Sequence, residues 1–251
     1  MSLSIERLST AERVADALRE QLLSGAIAPG TPMRDIDLSA RVGVSRTTVR
    51  EALAALAREG LLTHSLHRGM EVVRLACADV RDIYAARRVI ERVAAESLIA
   101  APEGNLDGLE RALQDMTEAT ARRNGRQVVE ADVAFHTALV AELDNRRLRT
   151  AIAGALMELR LVLSVTDRVN DDLDDQLQQH RALLALFRER KPEAIAALEE
   201  HLRDSEARVC AAIDAADRQG GGLRDRPPTS LRKTGDKQST PLSAVREHRE
   251  R

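Results

Sequence analysis

The sequence predicts a mainly α protein in two parts: a small helical module closed by a β-hairpin, then an all-α antiparallel bundle of about six helices. Three observations predict it. Aromatic residues make up only 1% of the chain while Ala, Leu, Glu and Arg abound, a balance that favours helix over strand. Strand character is confined to two short apolar runs, "LLTHSL" and "MEVVRL". From Asp79 onward apolar residues recur at helical spacing, broken only by short stretches such as "APEGN", "DN" and "KP".

The elements follow in order. Ser9 and Glu12 have the spacing of a capping box, and Val14, Leu18 and Leu22 form one face of a first helix that ends at Gly25. "APG" at 28–30 is a turn. A second helix spans Asp35 to Val42, with Ile36, Leu38 and Val42 as its apolar contacts, and Gly43 supplies the left-handed residue that stops it. Ser45 caps a third helix, "RTTVREALAALAREG", which ends at Gly60. His67, Arg68 and Gly69 make a hairpin turn between the two apolar runs. Three helices and a two-stranded wing, in the order of a winged helix-turn-helix, place a first domain at 8–75. Helices near 79–101, 106–123, 126–143, 146–167, 172–190 and 193–216 form the second, at 79–216; their short connections imply antiparallel neighbours. The segment 219–251 loses periodicity and gains Gly, Pro, Ser and charge, the composition of a disordered tail.

Composition narrows the function classes. A net charge of -2 excludes any argument from global basicity, so contact with nucleic acid requires a local positive patch. Cys77 and Cys210 match neither a CxxC pair nor a zinc knuckle, which points to a reducing interior. The N-terminus lacks the apolar stretch of a secretory signal, and no run approaches the length of a membrane span. A cytoplasmic protein without a membrane partner is expected.

The third helix has two unlike ends. Val49, Leu53 and Leu56 form a stripe that packs down, whereas Arg46, Thr47 and Arg50 project from the other side of its first turns. Arginine can pair with a guanine edge or grip a phosphate, and threonine can meet a phosphate or a thymine methyl. From Arg41 through Arg50 there are three arginines and no acid. The alternative is a helical pair whose arginines only solvate a surface. At the wing, His67, Arg68 and Gly69 could reach the adjacent backbone or minor groove, or form an ordinary hairpin.

"GAIAPGTPMRDIDLSARVGVSRTTVREALAALAREGLL" followed by "HRGMEVV" resembles the winged-helix domain of the GntR family of bacterial transcription regulators, in particular its FadR branch. The resemblance implies that Arg46, Thr47, Thr48 and Arg50, with the wing residues His67, Arg68 and Gly69, contact double-stranded operator DNA. One position departs from the family: Ile36 follows Asp35 where an arginine is usual.

In the bundle the histidines are His136, His180 and His201. Asp132 and His136 lie one turn apart on a single helix face, continued by Leu139 and Leu143. His180 continues the stripe of Leu173 and Leu177, and His201 follows Leu198. The last two helices turn at Lys191 and Pro192, which brings His180 and His201 to nearly equal height. Three imidazoles and a carboxylate suit zinc, nickel or manganese, with open positions for water or an acidic ligand. Separately satisfied interior histidines are the alternative. The constellation also resembles the FadR C-terminal (FCD) ligand-binding domain, in which a metal helps to hold a carboxylate effector. That resemblance aligns Arg87 with an arginine directed at the effector pocket. Arg88 is its neighbour, and an outward salt bridge to Glu91 is the alternative for either. Asn145 reads as a helix cap.

The expected function is a metabolite-responsive transcriptional regulator, a repressor in most of the family, acting as a homodimer on a roughly palindromic operator and binding a small organic acid. Residues 74–80 are the expected coupling segment. A metal-dependent hydrolase with an accessory winged-helix domain is the alternative, though no HExxH, P-loop, GxGxxG or GxSxG accompanies the cluster. In a third reading the bundle serves only for dimerisation.

Overall fold

A computed structural model describes residues 9–65, 69–101, 104–163 and 173–218. The chain divides into two compact units, the first running through Val73 and the second starting at Arg74.

The first unit contains α1 (Thr10–Leu23), α2 (Asp35–Val42), α3 (Arg46–Arg58), β1 (Leu62–Ser65) and β2 (Gly69–Val72). Helix α1 starts in a reciprocal capping box, with the Ser9 hydroxyl accepting from Glu12 N and the Glu12 carboxylate accepting from Ser9 N. Gly43 closes α2 at φ 73°, a left-handed conformation that costs glycine little, and Ser45 Oγ then accepts from Thr48 N to open α3. Val14, Leu18, Leu22, Leu38, Val49, Leu53 and Leu56 are all buried, each worth about 1.5–3 kcal/mol of transfer free energy. Arg19 grips both oxygens of Glu59 at 2.7 Å, tying α1 to the end of α3.

Two sequence expectations change here. Ile36 is not a core contact of α2: it is 58% exposed, and Leu38 takes the inward position alone. A helix of two turns has one inward stripe, and Ile36 lies outside it beside the exposed Asp37. Gly69 lies in the ladder opposite Ser65 rather than in the turn, while His67 and Arg68 fall outside the described residues. Residues 30–33 add an edge to the hairpin, because Met33 N and Gly30 N donate to Met70 O and Val72 O.

The second unit contains α4 (Cys77–Ala100), α5 (Asp107–Ala121), α6 (Gly125–Ala141), α7 (Arg146–Leu163), α8 (Leu173–Arg188) and α9 (Glu193–Arg218). Helix α4 is central, packing against α6, α7 and α9, while α5 packs on α6 and α8. Phe135, Leu139, Leu156, Leu184, Phe187, Leu198 and Leu202 fill the interior. Asn145 caps α7, its Oδ1 accepting from Arg147 N and Leu148 N. Arg190 donates to the carbonyls of Leu98 and Gly104 and so ties the end of α8 to the end of α4. Cys77 and Cys210, left unpaired by the sequence reading, are joined in a disulfide with their Cα atoms 5.1 Å apart, linking the start of α4 to α9. Packing of α4 against α9 sets that approach, and residues separated by 133 positions give no local sign of it. The expected tail, 219–251, and the expected last turn of the helix at 146–167 lie outside the described residues.

Candidate functional site

The first unit presents a candidate nucleic-acid surface built on α3. Its rear face is fully inward, with Val49 at 0% and Leu53 at 3% exposure, while the side chains of Arg46 and Arg50 are 51% and 66% exposed. Both guanidiniums rest on one carboxylate: Arg50 Nε donates to Asp35 Oδ2 at 2.6 Å and Arg46 Nη2 at 3.1 Å. Burial works to raise the pKa of Asp35, but the two arginines outweigh it and hold the carboxyl below its usual range. Thr47 is exposed. Thr48 is half-buried, and its hydroxyl is hydrogen-bonded to Ser45 Oγ at 2.8 Å, so it takes part in the cap. A groove of about 520 Å³ runs beside α3, lined among others by Arg34, Asp35, Ile36, Arg50, His64 and Gly69. Sequence reasoning missed Arg34 and Asp35 as members of this surface. The signal for Asp35 was available, since it is the acid that opens α2.

In the second unit Asp132, His136, His180 and His201 converge, with one potential ligand atom from each lying within 4.8 Å of all the others. The three histidines are buried, whereas the Asp132 side chain keeps 25% exposure and marks the side from which the cluster is reached. Helical period explains the convergence: Asp132 and His136 are stacked on α6, His180 points in from α8, and His201 from α9.

Each imidazole is oriented by a partner on its Nδ1. His136 Nδ1 lies 2.6 Å from Glu91 Oε2, His180 Nδ1 lies 2.8 Å from Gln176 O, and His201 Nδ1 lies 3.0 Å from Gln179 Oε1. All three partners are acceptors, so each ring donates from Nδ1, and in its neutral form carries its lone pair on Nε2. The Nε2 atoms turn inward: those of His136 and His201 are 3.3 Å apart, and that of His180 is 3.1 Å from Asp132 Oδ1 with no hydrogen bond formed. In neutral rings of that tautomer two lone pairs face each other at this distance and repel unless a proton or a metal ion lies between them. Nitrogens sharing a zinc at about 2.0–2.1 Å keep just such a spacing. Burial lowers the pKa of His201 well below the ordinary histidine value, aided by His180 and His136. For Asp132 burial acts to raise the pKa, yet any charge on His180 or His136, together with that of Arg87, overcomes it and holds the carboxyl far below its usual range. A neutral imidazole and an ionised carboxylate are the states that bind metal.

Arg87 lies beside this cluster and is 1% exposed, while Arg88 pairs with Glu206 at the edge of the bundle. The salt bridge from Arg87 Nε to Glu91 Oε1, 2.7 Å, does form, but both partners face inward rather than outward. The Arg87 guanidinium stacks over the Tyr84 ring at 4.7 Å, and its Nη2 is buried without a hydrogen-bond partner. Burial pushes the Tyr84 hydroxyl up to about 12, so it stays protonated. Glu91 and Gln179 were missed as orienting groups. They lie 45 and 22 residues from the histidines they hold, so no local pattern betrays them.

Residues 10–72 match the bacterial regulatory proteins of the gntR family, and residues 82–204 match the FCD domain. A protein of Paenarthrobacter nicotinovorans described as "Probable D-xylose utilization operon transcriptional repressor" is 26% identical over 219 residues, 87% of this chain and 94% of the relative. The gluconate operon transcriptional repressor of Bacillus licheniformis is 30% identical over 175 residues, 68% of this chain and 71% of the relative. A solved GntR structure from Rhodococcus sp. RHA1 superimposes with a TM-score of 0.73 at 30% identity, covering 82% of this chain and 99% of that one. Among the described residues no helix is long and apolar enough to cross a membrane. The chain therefore belongs to the GntR family, in the FadR-like branch that carries an FCD domain, and is a DNA-binding transcriptional regulator rather than an enzyme.

Proposed function

We propose that the protein is a repressor that binds its operator as a homodimer and is controlled by a small organic acid held in the bundle. Arg46, Thr47 and Arg50, with Thr48 buttressing the helix tip and the wing residues His67, Arg68 and Gly69, supply the DNA contacts. Asp132, His136, His180 and His201 hold a divalent metal, zinc first, with nickel or manganese also suited to the donor set. Bound there, the metal supplies a Lewis acid to which a carboxylate can coordinate, and Arg87 supplies a cation for the same ligand.

One observation carries the reading: three inward Nε2 lone pairs, each fixed by an acceptor on Nδ1, meet an ionised carboxylate next to a buried guanidinium with a free donor. Independent structural histidines have no reason to share that polarity. The Bacillus licheniformis relative is named for a gluconate operon, so sugar acids head the list of effectors to screen. Val89 and Val93, four apart on α4 and exposed, offer an apolar face that a second copy would cover. The effector acts by preferring one arrangement of the dimer over another.

Metal analysis of the purified protein, with His180→Ala as control, tests the centre: near-stoichiometric metal is expected in the parent and none in the variant. Thermal shift with a panel of organic acids, in metal-replete and metal-stripped protein, tests the ligand class. A stabilisation that requires metal supports it, and none from any acid overturns it.

A further inference from the structure

We propose that Glu91 is a positioning residue of the metal centre, which holds His136 in its Nδ1–H tautomer and can do so only as a carboxylate because Arg87 claims its other oxygen. This rests on the metal reading above. Glu91 is 0% exposed and divides its oxygens, Oε1 accepting from Arg87 Nε at 2.7 Å and Oε2 from His136 Nδ1 at 2.6 Å. Both carboxylate oxygens are thus used as acceptors, one by a guanidinium that can only donate and one by the imidazole.

An amide cannot serve both neighbours. Arginine is a donor only and stays charged, so in Glu91→Gln the amide oxygen must turn to Arg87. The NH2 group then faces His136 Nδ1, which has to accept. The imidazole proton moves to Nε2, the atom 3.3 Å from His201 Nε2 and 3.7 Å from Asp132 Oδ1. There it occupies the lone pair meant for the metal. A change that preserves shape and volume thus blocks the centre by reversing one tautomer. Removing the guanidinium as well, in Arg87→Met with Glu91→Gln, lets the amide turn its oxygen to His136 and restores the original tautomer.

The test uses full-length protein. Long-range 1H–15N spectra of metal-free, histidine-labelled samples report which nitrogen of His136 carries the proton, and competition with a chromophoric chelator reports zinc affinity. The parent is expected to carry the proton on Nδ1. Glu91→Gln should carry it on Nε2 and bind zinc about 10- to 100-fold more weakly. The double variant should return both readouts to the parent's values. An unchanged tautomer and zinc affinity in Glu91→Gln overturn the proposal, as does a double variant no better than the single one. Should Glu91→Gln not fold, Arg87→Met/Glu91→Gln is compared with Arg87→Met/Glu91→Leu, neither of which buries an unpaired arginine. Only the first keeps an acceptor for His136, and equal zinc affinity in the two overturns the role of Glu91. If the parent binds no zinc, the metal reading fails, while the tautomer comparison in metal-free protein still decides what Glu91 does.

Discussion

The two units use the same pairing of arginine and carboxylate for opposite ends. In the first, Asp35 holds Arg46 and Arg50, whose side chains are 51% and 66% exposed. In the second, Glu91 holds Arg87 with side-chain exposures of 0% and 2%. At a solvent-exposed site such a pair is weak and readily exchanged, so under the proposed DNA-binding role the arginines of α3 would be free for a phosphate or a base edge to take over. Out of water the pair persists, because each partner alone is a buried charge. Exposure leaves the first pair exchangeable, and burial makes the second a fixed frame beside the histidine cluster.

Four changes test that contrast, in descending size. Reducing the disulfide between Cys77 and Cys210 should destabilise the bundle most, since releasing a loop of 133 residues costs about 5 kcal/mol in the chain-entropy account. Calorimetry with and without reductant should show the bundle transition falling, with no further fall in Cys210→Ser. Glu91→Ala should cost about 3–5 kcal/mol by leaving Arg87 buried and unpaired, read as a lower denaturant midpoint. Arg50→Ala should leave folding intact and weaken operator binding by about 1–3 kcal/mol, measured by titration at fixed salt. The smallest effect belongs to Asp35→Asn: an unchanged unfolding midpoint, with somewhat tighter, less selective DNA binding as both guanidiniums lose their competing anion. A large stability loss in Asp35→Asn would erase the distinction between the two pairs.

Much of this was legible before the fold. The stripe of Val49, Leu53 and Leu56 against Arg46 and Arg50 is a single-helix pattern, and so is the stacking of Asp132 under His136. The meeting of His180 and His201 could also be read, because the turn at Lys191 and Pro192 lies midway between them. Ile36 misled because apolarity was taken for burial on a helix too short to show a face. The inward turn of Arg87 was expected from the family resemblance and not from helical spacing: an arginine and a glutamate four apart normally form a solvated pair, and only the packing of α4 against α6 and α9 removes the water.

By itself the sequence determined what repeats along one helix: where each begins and stops, which face is apolar, and which side chains share a turn. Those properties depend on neighbours within a few residues. Tertiary structure alone decided that Cys77 meets Cys210, that Asp35 collects two arginines, and that Glu91 lies against the Nδ1 of His136. Hydrogen-bond partners and local dielectric come from residues distant in the chain, and they set the state of a titratable group once packing has excluded water.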